Sequence, residues 1–92
     1  TATGRPPEYF PLTRYLATLL APRIRVNAMA LGSISTGWTD WLPPKGRTSY
    51  EAAIPLGRFG RPEEVAQLAL FLAGNGNVTG QTYVLDGGEA RV

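Results

Sequence analysis

Hydrophobic residues recur at helical spacing in two segments of this chain and form short continuous runs in two others. The first helical segment places four leucines on one face and ends before Pro22, because proline cannot continue a helix; they are Leu12, Leu16, Leu19 and Leu20. Residues 24–30 form a short apolar run with β-branched members, which predicts a buried strand. The chain thus starts as a helix followed by a strand.

The second helix is predicted over residues 61–73. Pro62 suits the first helical position, and Glu63 and Glu64 place negative charge at the positive end of the helix dipole. Adjacent helical residues do not face each other, so a helix start explains the two glutamates better than a pair of catalytic acids. The stripe that we expect to be buried consists of Val65, Leu68, Ala69 and Leu72.

Residues 81–85 read as a second strand, closed by Asp86-Gly87-Gly88. A strand, a helix and a strand in succession predict a crossover between two parallel strands, and therefore an α/β fold. Residues 1–11 contain three prolines and no apolar periodicity, which predicts an irregular arm. Residues 32–54 form a long connection with Trp38, Trp41 and Tyr50, and the two tryptophans fit a substrate lid and a hydrophobic cluster equally well.

Composition narrows the function classes. With 92 residues, 43% of them hydrophobic and 17% charged, the chain is a globular domain with a thin core, and some of its apolar surface is expected to need a partner. It has no cysteine and no histidine, so we predict no metal site and no Ser-His-Asp mechanism. A net charge of +2 from scattered basic residues gives no reason to expect nucleic acid. No apolar run is long enough for a membrane span and no signal peptide is visible, which favours a cytoplasmic protein.

Three segments carry a family resemblance: RIRVNAMALGSIST, IPLGRFGRPEEVAQLALFLAG and VTGQTYVLDGG. In this order and at this spacing they resemble the short-chain dehydrogenases/reductases, in particular the acyl-carrier-protein ketoreductase type. The resemblance runs from about Leu12 to Gly88 and corresponds to the C-terminal third of a usual family member. It implies that residues 12–92 are the C-terminal portion of a Rossmann-like, doubly wound parallel sheet that lacks its first βαβ half.

The resemblance also implies a cofactor, NAD or NADP, and a cofactor-binding site at Gly32, Ile34 and Thr36. The family reads Pro-Gly-x-x-x-Thr after this strand, where the present chain has Leu31 in place of the proline. Glycine permits close approach of the backbone, Ile34 would offer backbone contacts to the nicotinamide carboxamide, and Thr36 would offer a hydroxyl to the carboxamide or pyrophosphate. From the residues alone, an ordinary turn shaped by Ser35 or Thr36 stays open. The loss of proline at Leu31 predicts a looser corner.

No catalytic residue is predicted in this chain. The family's Tyr-x-x-x-Lys pair would fall at Ala2 and Pro6, which cannot serve, and the single lysine is Lys45. The nearest approach to a phosphate loop, Gly76-x-x-x-Gly80, follows a helix instead of preceding one, so it reads as a turn. Hydride transfer by this chain alone is therefore not expected.

The resulting functional hypothesis is a C-terminal segment of an NAD(P)-dependent oxidoreductase that acts on a small-molecule carbonyl or alcohol substrate. The segment would contribute the nicotinamide-side loop, a substrate lid and an assembly surface, with a homo-oligomer or a reductase-like chain as partner. Two alternatives stay open: a non-catalytic interaction protein that pairs with a fuller reductase subunit, and a truncated remnant.

Overall fold

The computed structural model describes residues 9–89 and has the predicted α/β class. Its elements in chain order are helix α1 (Tyr9–Leu20), strand β1 (Ala28–Leu31), a 3₁₀ helix (Gly37–Trp41), helix α2 (Pro44–Ala52), helix α3 (Pro62–Gly74) and strand β2 (Thr82–Leu85). β1 and β2 pair in parallel, and Ala28 lies opposite Thr82 at the start of the register. The predicted strand, helix, strand crossover is confirmed.

Helix α1 begins at Tyr9, three residues before the predicted start at Leu12. The expectation that residues 9–11 belong to an irregular arm is corrected by this finding, while residues 1–8 lie outside the described part of the chain. Pro11 is the third residue of the helix. Amides in the first turn have no intrahelical acceptor, so a proline there removes no hydrogen bond and does not prevent helix formation.

Strand β1 is shorter than the predicted run over residues 24–30, because the residues before it are held by side-chain contacts. The Arg25 guanidinium donates to the Leu72 carbonyl at 2.7 Å, in the last turn of α3, where backbone carbonyls lack partners within the helix. The side-chain amide of Asn27 donates to the Val78 carbonyl at 3.0 Å. These contacts tie the segment before β1 to the helix and the turn before β2.

The connection over residues 32–54 is more ordered than predicted, since it contains the 3₁₀ helix and α2. Pro44 occupies the first position of α2, and the Thr48 hydroxyl donates to the Pro44 carbonyl at 2.9 Å. No residue of α2 is buried. A helix without an apolar stripe leaves no periodic signal in the sequence, which explains why it was not predicted.

The core is thin, in agreement with the length of the chain. Among the described residues, five hydrophobic side chains are buried: Ala17, Ile34, Ile54, Phe59 and Leu72. Leu72 confirms the predicted inner stripe of α3, whose other members are half-buried. Leu70 and Phe71 on the same helix are 73% and 50% exposed. Each strand of the two-stranded sheet keeps one unpaired edge within the described residues, and such a sheet has little stability by itself.

Candidate functional site

The loops that follow β1 and β2 meet at the carboxyl ends of the strands. The Gly32 amide extends the ladder by donating to the Leu85 carbonyl at 3.0 Å. A Cβ on Gly32 would lie 2.6 Å from the Asp86 Cβ, so no other residue fits here without a shift of the backbone. In open parallel sheets, ligands bind beyond the carboxyl ends of the strands, and the predicted site residue Gly32 lies at that edge.

The backbone on both sides of Ile34 is held by hydrogen bonds to Gly60. The Ser35 amide donates to the Gly60 carbonyl at 2.7 Å, and the Gly60 amide donates to the Ser33 carbonyl at 2.9 Å. The Ile34 carbonyl accepts the indole N–H of Trp38 at 3.0 Å. The Ile34 amide has no hydrogen-bond partner among residues 9–89, although the side chain is buried. One oriented donor is therefore left at the predicted contact position.

Thr36 precedes the 3₁₀ helix and is exposed. Its carbonyl accepts the Thr39 amide at 3.0 Å and the Thr39 hydroxyl at 2.8 Å, so the backbone of Thr36 shapes the turn. The Ser35 hydroxyl contacts the Thr39 hydroxyl at 3.3 Å. The Thr36 hydroxyl makes no hydrogen bond within the described segment 9–89. The turn therefore does not need that hydroxyl, which stays available to a ligand.

The two tryptophans of the connection have different environments. Trp38 packs edge-on against Tyr50 and Phe59, with ring centroids 5.8 and 5.6 Å apart, and the Arg47 guanidinium lies 5.3 Å from the Phe59 ring centroid. Trp41 is 88% exposed. The hydrophobic-cluster interpretation therefore holds for Trp38, whose indole also reaches the loop backbone, whereas Trp41 presents a large apolar surface beside the loop.

Arg58 and Glu64 form a two-pronged ion pair at the start of α3, with N–O distances of 2.9 and 2.8 Å. The bond from Arg58, followed by a bond from the Arg61 amide at 2.9 Å, lowers the pKa of Glu64 to about 2. The same pairing raises the pKa of Arg58. Glu64 therefore serves the helix start, as predicted, and both side chains line a cleft of about 430 Å³ beside the end of β2. Gly32, Ile34 and Thr36 do not line this cleft.

The described part of the chain contains neither a metal-binding cluster nor a membrane-spanning helix. Residues 9–89 hold no group of three or more histidine, cysteine, aspartate or glutamate side chains placed to bind a metal ion. Within the same range, no helix has the length and apolar character needed to cross a membrane. The positions that correspond to the family's tyrosine and lysine, Ala2 and Pro6, lie outside the described residues.

Two contacts at this site were not predicted from the sequence. The indole of Trp38 reaches the carbonyl four residues earlier, at Ile34. The carboxylate of Glu89 accepts the Ser33 amide at 3.2 Å and the Ser33 hydroxyl at 3.3 Å. The second contact could have been predicted, because the ends of parallel strands meet at one edge of the sheet and the glycine pair after β2 turns the chain back toward that edge.

A family model described as "Enoyl-(Acyl carrier protein) reductase" matches residues 10–89, which is most of the chain. The chain belongs to the short-chain dehydrogenase/reductase family. Its Rossmann-like architecture agrees with that of solved family members, of which it covers only a part. The predicted resemblance and fold class are confirmed.

Relatives in this family share both sequence and structure with the chain. The 3-oxoacyl-[acyl-carrier-protein] reductase FabG of Thermotoga maritima is 54% identical over 80 residues, which are 84% of this chain and 32% of that protein. Carbonyl reductase family member 4 of Xenopus laevis is 48% identical over 77 residues. The Pseudomonas aeruginosa RhlG/NADP active-site complex superposes with a TM-score of 0.81 at 38% identity, over 90% of this chain and 34% of that one. The chain spans about a third of the length of these relatives.

Proposed function

We propose that this chain supplies the nicotinamide-side loop of an NAD(P)-dependent ketone/alcohol oxidoreductase. The proposal rests on the hydrogen bonding of the two predicted contact groups. The Ile34 amide and the Thr36 hydroxyl have no partner among residues 9–89, although the backbone around them is held by other bonds. A backbone donor and a hydroxyl, both on a loop whose backbone is held, fit the carboxamide of a nicotinamide ring.

The fit of a dinucleotide is supported by the glycines around Ile34. A Cβ at Gly32 would meet the Asp86 Cα at 2.9 Å, and one at Gly60 would meet the Ile34 Cδ1 at 2.7 Å. Gly32 therefore lets the loop backbone lie close against the end of β2, and Gly60 leaves room for the Ile34 side chain. When bound, a reduced nicotinamide would supply the hydride, and Ile34 and Thr36 would orient its ring.

The proposed substrate class is a carbonyl compound, such as the 3-oxoacyl groups named for the Thermotoga maritima relative. Trp41 is the side chain of the proposed lid that we expect to meet an apolar part of such a substrate, because it is 88% exposed at the end of the 3₁₀ helix that follows Thr36. The acid that protonates the carbonyl oxygen and the loop that binds the pyrophosphate would come from outside residues 9–89.

The proposal includes an assembly surface. α1 exposes a stripe of large apolar side chains at helical spacing, Leu12, Tyr15 and Leu19, which are 59%, 64% and 61% exposed. β1 exposes Met29 and Leu31 beside its unpaired edge. We expect this surface to be covered by a homo-oligomer or by a reductase-like chain. Sedimentation of the 92-residue chain tests this part: a compact, cooperatively melting monomer at micromolar concentration would contradict it.

A chimera tests the proposed activity. The matching 80 residues of the Thermotoga maritima relative are replaced by those of this chain, and NADH and NADPH oxidation are followed with a 3-oxoacyl and a 2-enoyl thioester. We expect oxidation with the 3-oxoacyl substrate in the chimera and none with the isolated chain. A folded chimera that binds dinucleotide and reduces only the enoyl substrate would replace the proposed reaction by the one that the family model describes. A folded chimera that binds no dinucleotide would refute the proposed role.

A further inference from the structure

The DGG motif at the end of β2 forms a reverse turn that returns the chain to the loop after β1. The Glu89 amide donates to the Asp86 carbonyl at 3.0 Å, and Gly87 and Gly88 between them have φ values of 63° and 87°. Two successive positive φ values are those of a type I′ turn, which glycine adopts without strain. The turn thereby brings Glu89 to the side of the loop that contains Gly32.

The Glu89 carboxylate lies on the corner at which β1 becomes this loop. One oxygen accepts the Ser33 amide at 3.2 Å, and the other accepts the Ser33 hydroxyl at 3.3 Å. Ser33 is the residue before Ile34, whose amide is the proposed donor to the cofactor. An acceptor for the Ser33 amide therefore fixes the Gly32–Ser33 peptide, which directly precedes the peptide that carries the Ile34 amide.

This corner is also where the chain departs from its family, with Leu31 in the place of proline. The amides of Ala28 and Gly32 donate to the carbonyls of Gln81, just before β2, and Leu85, at its end, at 2.9 and 3.0 Å, and the direction of the amides alternates along a strand. The Leu31 amide therefore points away from β2, and a proline would remove no bond of this sheet. The fixed φ that proline would supply is absent, and the two bonds from Ser33 to Glu89 constrain the Gly32–Ser33 peptide further along the same corner.

We infer that Glu89 is a positioning residue for the nicotinamide-side loop and compensates for the missing proline at position 31. Its effect on the cofactor is indirect, through Ser33, and that part of the inference rests on the proposed function. The order that Glu89 imposes on the loop can be measured without any cofactor.

The test is site-resolved amide hydrogen exchange on the full 92-residue chain, and on the chimera if the chain needs the rest of a reductase to fold. Losing the acceptor in Glu89→Ala should speed exchange at Ser33 about tenfold, the change that corresponds to one hydrogen bond, and should leave Ala28 in the β1–β2 ladder unchanged. Glu89→Gln should restore protection, since its amide oxygen accepts the backbone N–H and its NH₂ group donates to the hydroxyl.

The double variant Leu31→Pro/Glu89→Ala separates this account from a general loss of stability. The added proline supplies no acceptor for the Ser33 amide, so exchange at Ser33 should stay fast. We expect the proline instead to restore protection at the Ser35 and Gly60 amides, which bond across the loop and should exchange faster in Glu89→Ala. Unchanged exchange at Ser33 in Glu89→Ala, or equal acceleration at Ser33 and Ala28, would overturn the inference. So would a double variant whose Ser35 and Gly60 amides exchange as fast as those of Glu89→Ala.

Cofactor titrations on the same samples separate the ordering of the loop by Glu89 from the proposed binding of a cofactor by that loop. We expect NAD(P)⁺ affinity to fall in Glu89→Ala and to return in Glu89→Gln and in the double variant. If exchange follows the predicted order but no sample, the unmodified chimera included, binds dinucleotide, Glu89 orders the loop and the proposed function is wrong. If dinucleotide binds equally in every variant, Glu89 has no positioning role toward the cofactor.

Discussion

Replacing Gly32 by alanine tests whether the loop after β1 must lie against the end of β2. The new Cβ would approach the Asp86 Cβ to 2.6 Å and the Asp86 Cα to 2.9 Å, distances that real Cβ atoms essentially never show. The Asp86 Cα is backbone, so a side-chain rotation cannot relieve the contact. Gly37, at the start of the 3₁₀ helix, is a matched control because an added Cβ there meets nothing within 4 Å.

The expected cost of Gly32→Ala follows from overpacking, which destabilises by about 1–3 kcal/mol. Alanine also restricts the unfolded chain, which offsets about 0.4–1 kcal/mol of this loss. Taken at the middle of both ranges, the net loss is about 1.3 kcal/mol, which lowers the Tm of a domain of this size by roughly 5–10 °C. Gly37→Ala introduces no close contact and still restricts the unfolded chain, so its Tm should stay the same or rise by a few degrees.

The assay is thermal unfolding followed by far-UV circular dichroism, with all three proteins at one concentration because self-association would shift the Tm. Gly32→Ala should melt lower than the original chain, and Gly37→Ala should not. A Gly32→Ala variant that melts within about 2 °C of the original chain would refute the close contact between the loop and β2. Equal losses in both variants would show that the loop tolerates no added side chain, whatever its position.

Three further predictions concern the contacts around the site. Trp38→Phe should lose about 1 kcal/mol of unfolding free energy by urea denaturation, because it keeps the ring contacts and loses the indole donor, while Trp41→Phe should be neutral; equal effects would contradict this. Because the pKa of Glu64 is lowered to about 2, the stability that Glu64 contributes is complete above its ordinary pKa of 4.5 and is lost as the pH falls toward 2. Unfolding free energies measured between these pH values should therefore fall less steeply in Glu64→Gln than in the original chain, and the same pH dependence in both proteins would contradict this. Leu72→Ala should cost about 2–5 kcal/mol in the same urea assay and Leu70→Ala less than about 0.5, unless the α3 face is covered by a partner.

The sequence predicted the elements that bury apolar residues and missed the helix that buries none. The leucine spacing of α1 and the proline and glutamates of α3 each have a local cause, so their presence could be read from the chain. Helix α2 has no buried residue and left no periodic signal. The start of β1 was misplaced because Arg25 and Asn27 contact residues about 50 positions away, which no local pattern reveals.

The candidate site was predictable only as a set of positions. The resemblance pointed to Gly32, Ile34 and Thr36, and their roles toward a cofactor stay predictions. It did not indicate that the Ile34 carbonyl is occupied by Trp38 or that Ser33 is held by Glu89. Both contacts depend on how the ends of two parallel strands and the turns after them meet, and that meeting is a property of the tertiary structure.

The affinity of the chimera for two ligands tests the central claim most directly. One ligand is NADP⁺ or NAD⁺, and the other is the matching nucleotide without the nicotinamide, ADP-ribose or its 2′-phosphate. If Thr36 meets the nicotinamide carboxamide, Thr36→Ala should weaken dinucleotide binding about fivefold to tenfold, the worth of one hydrogen bond, and leave the shorter ligand unaffected. Equal weakening of both ligands, or no change for either, would contradict a nicotinamide-side role for this loop.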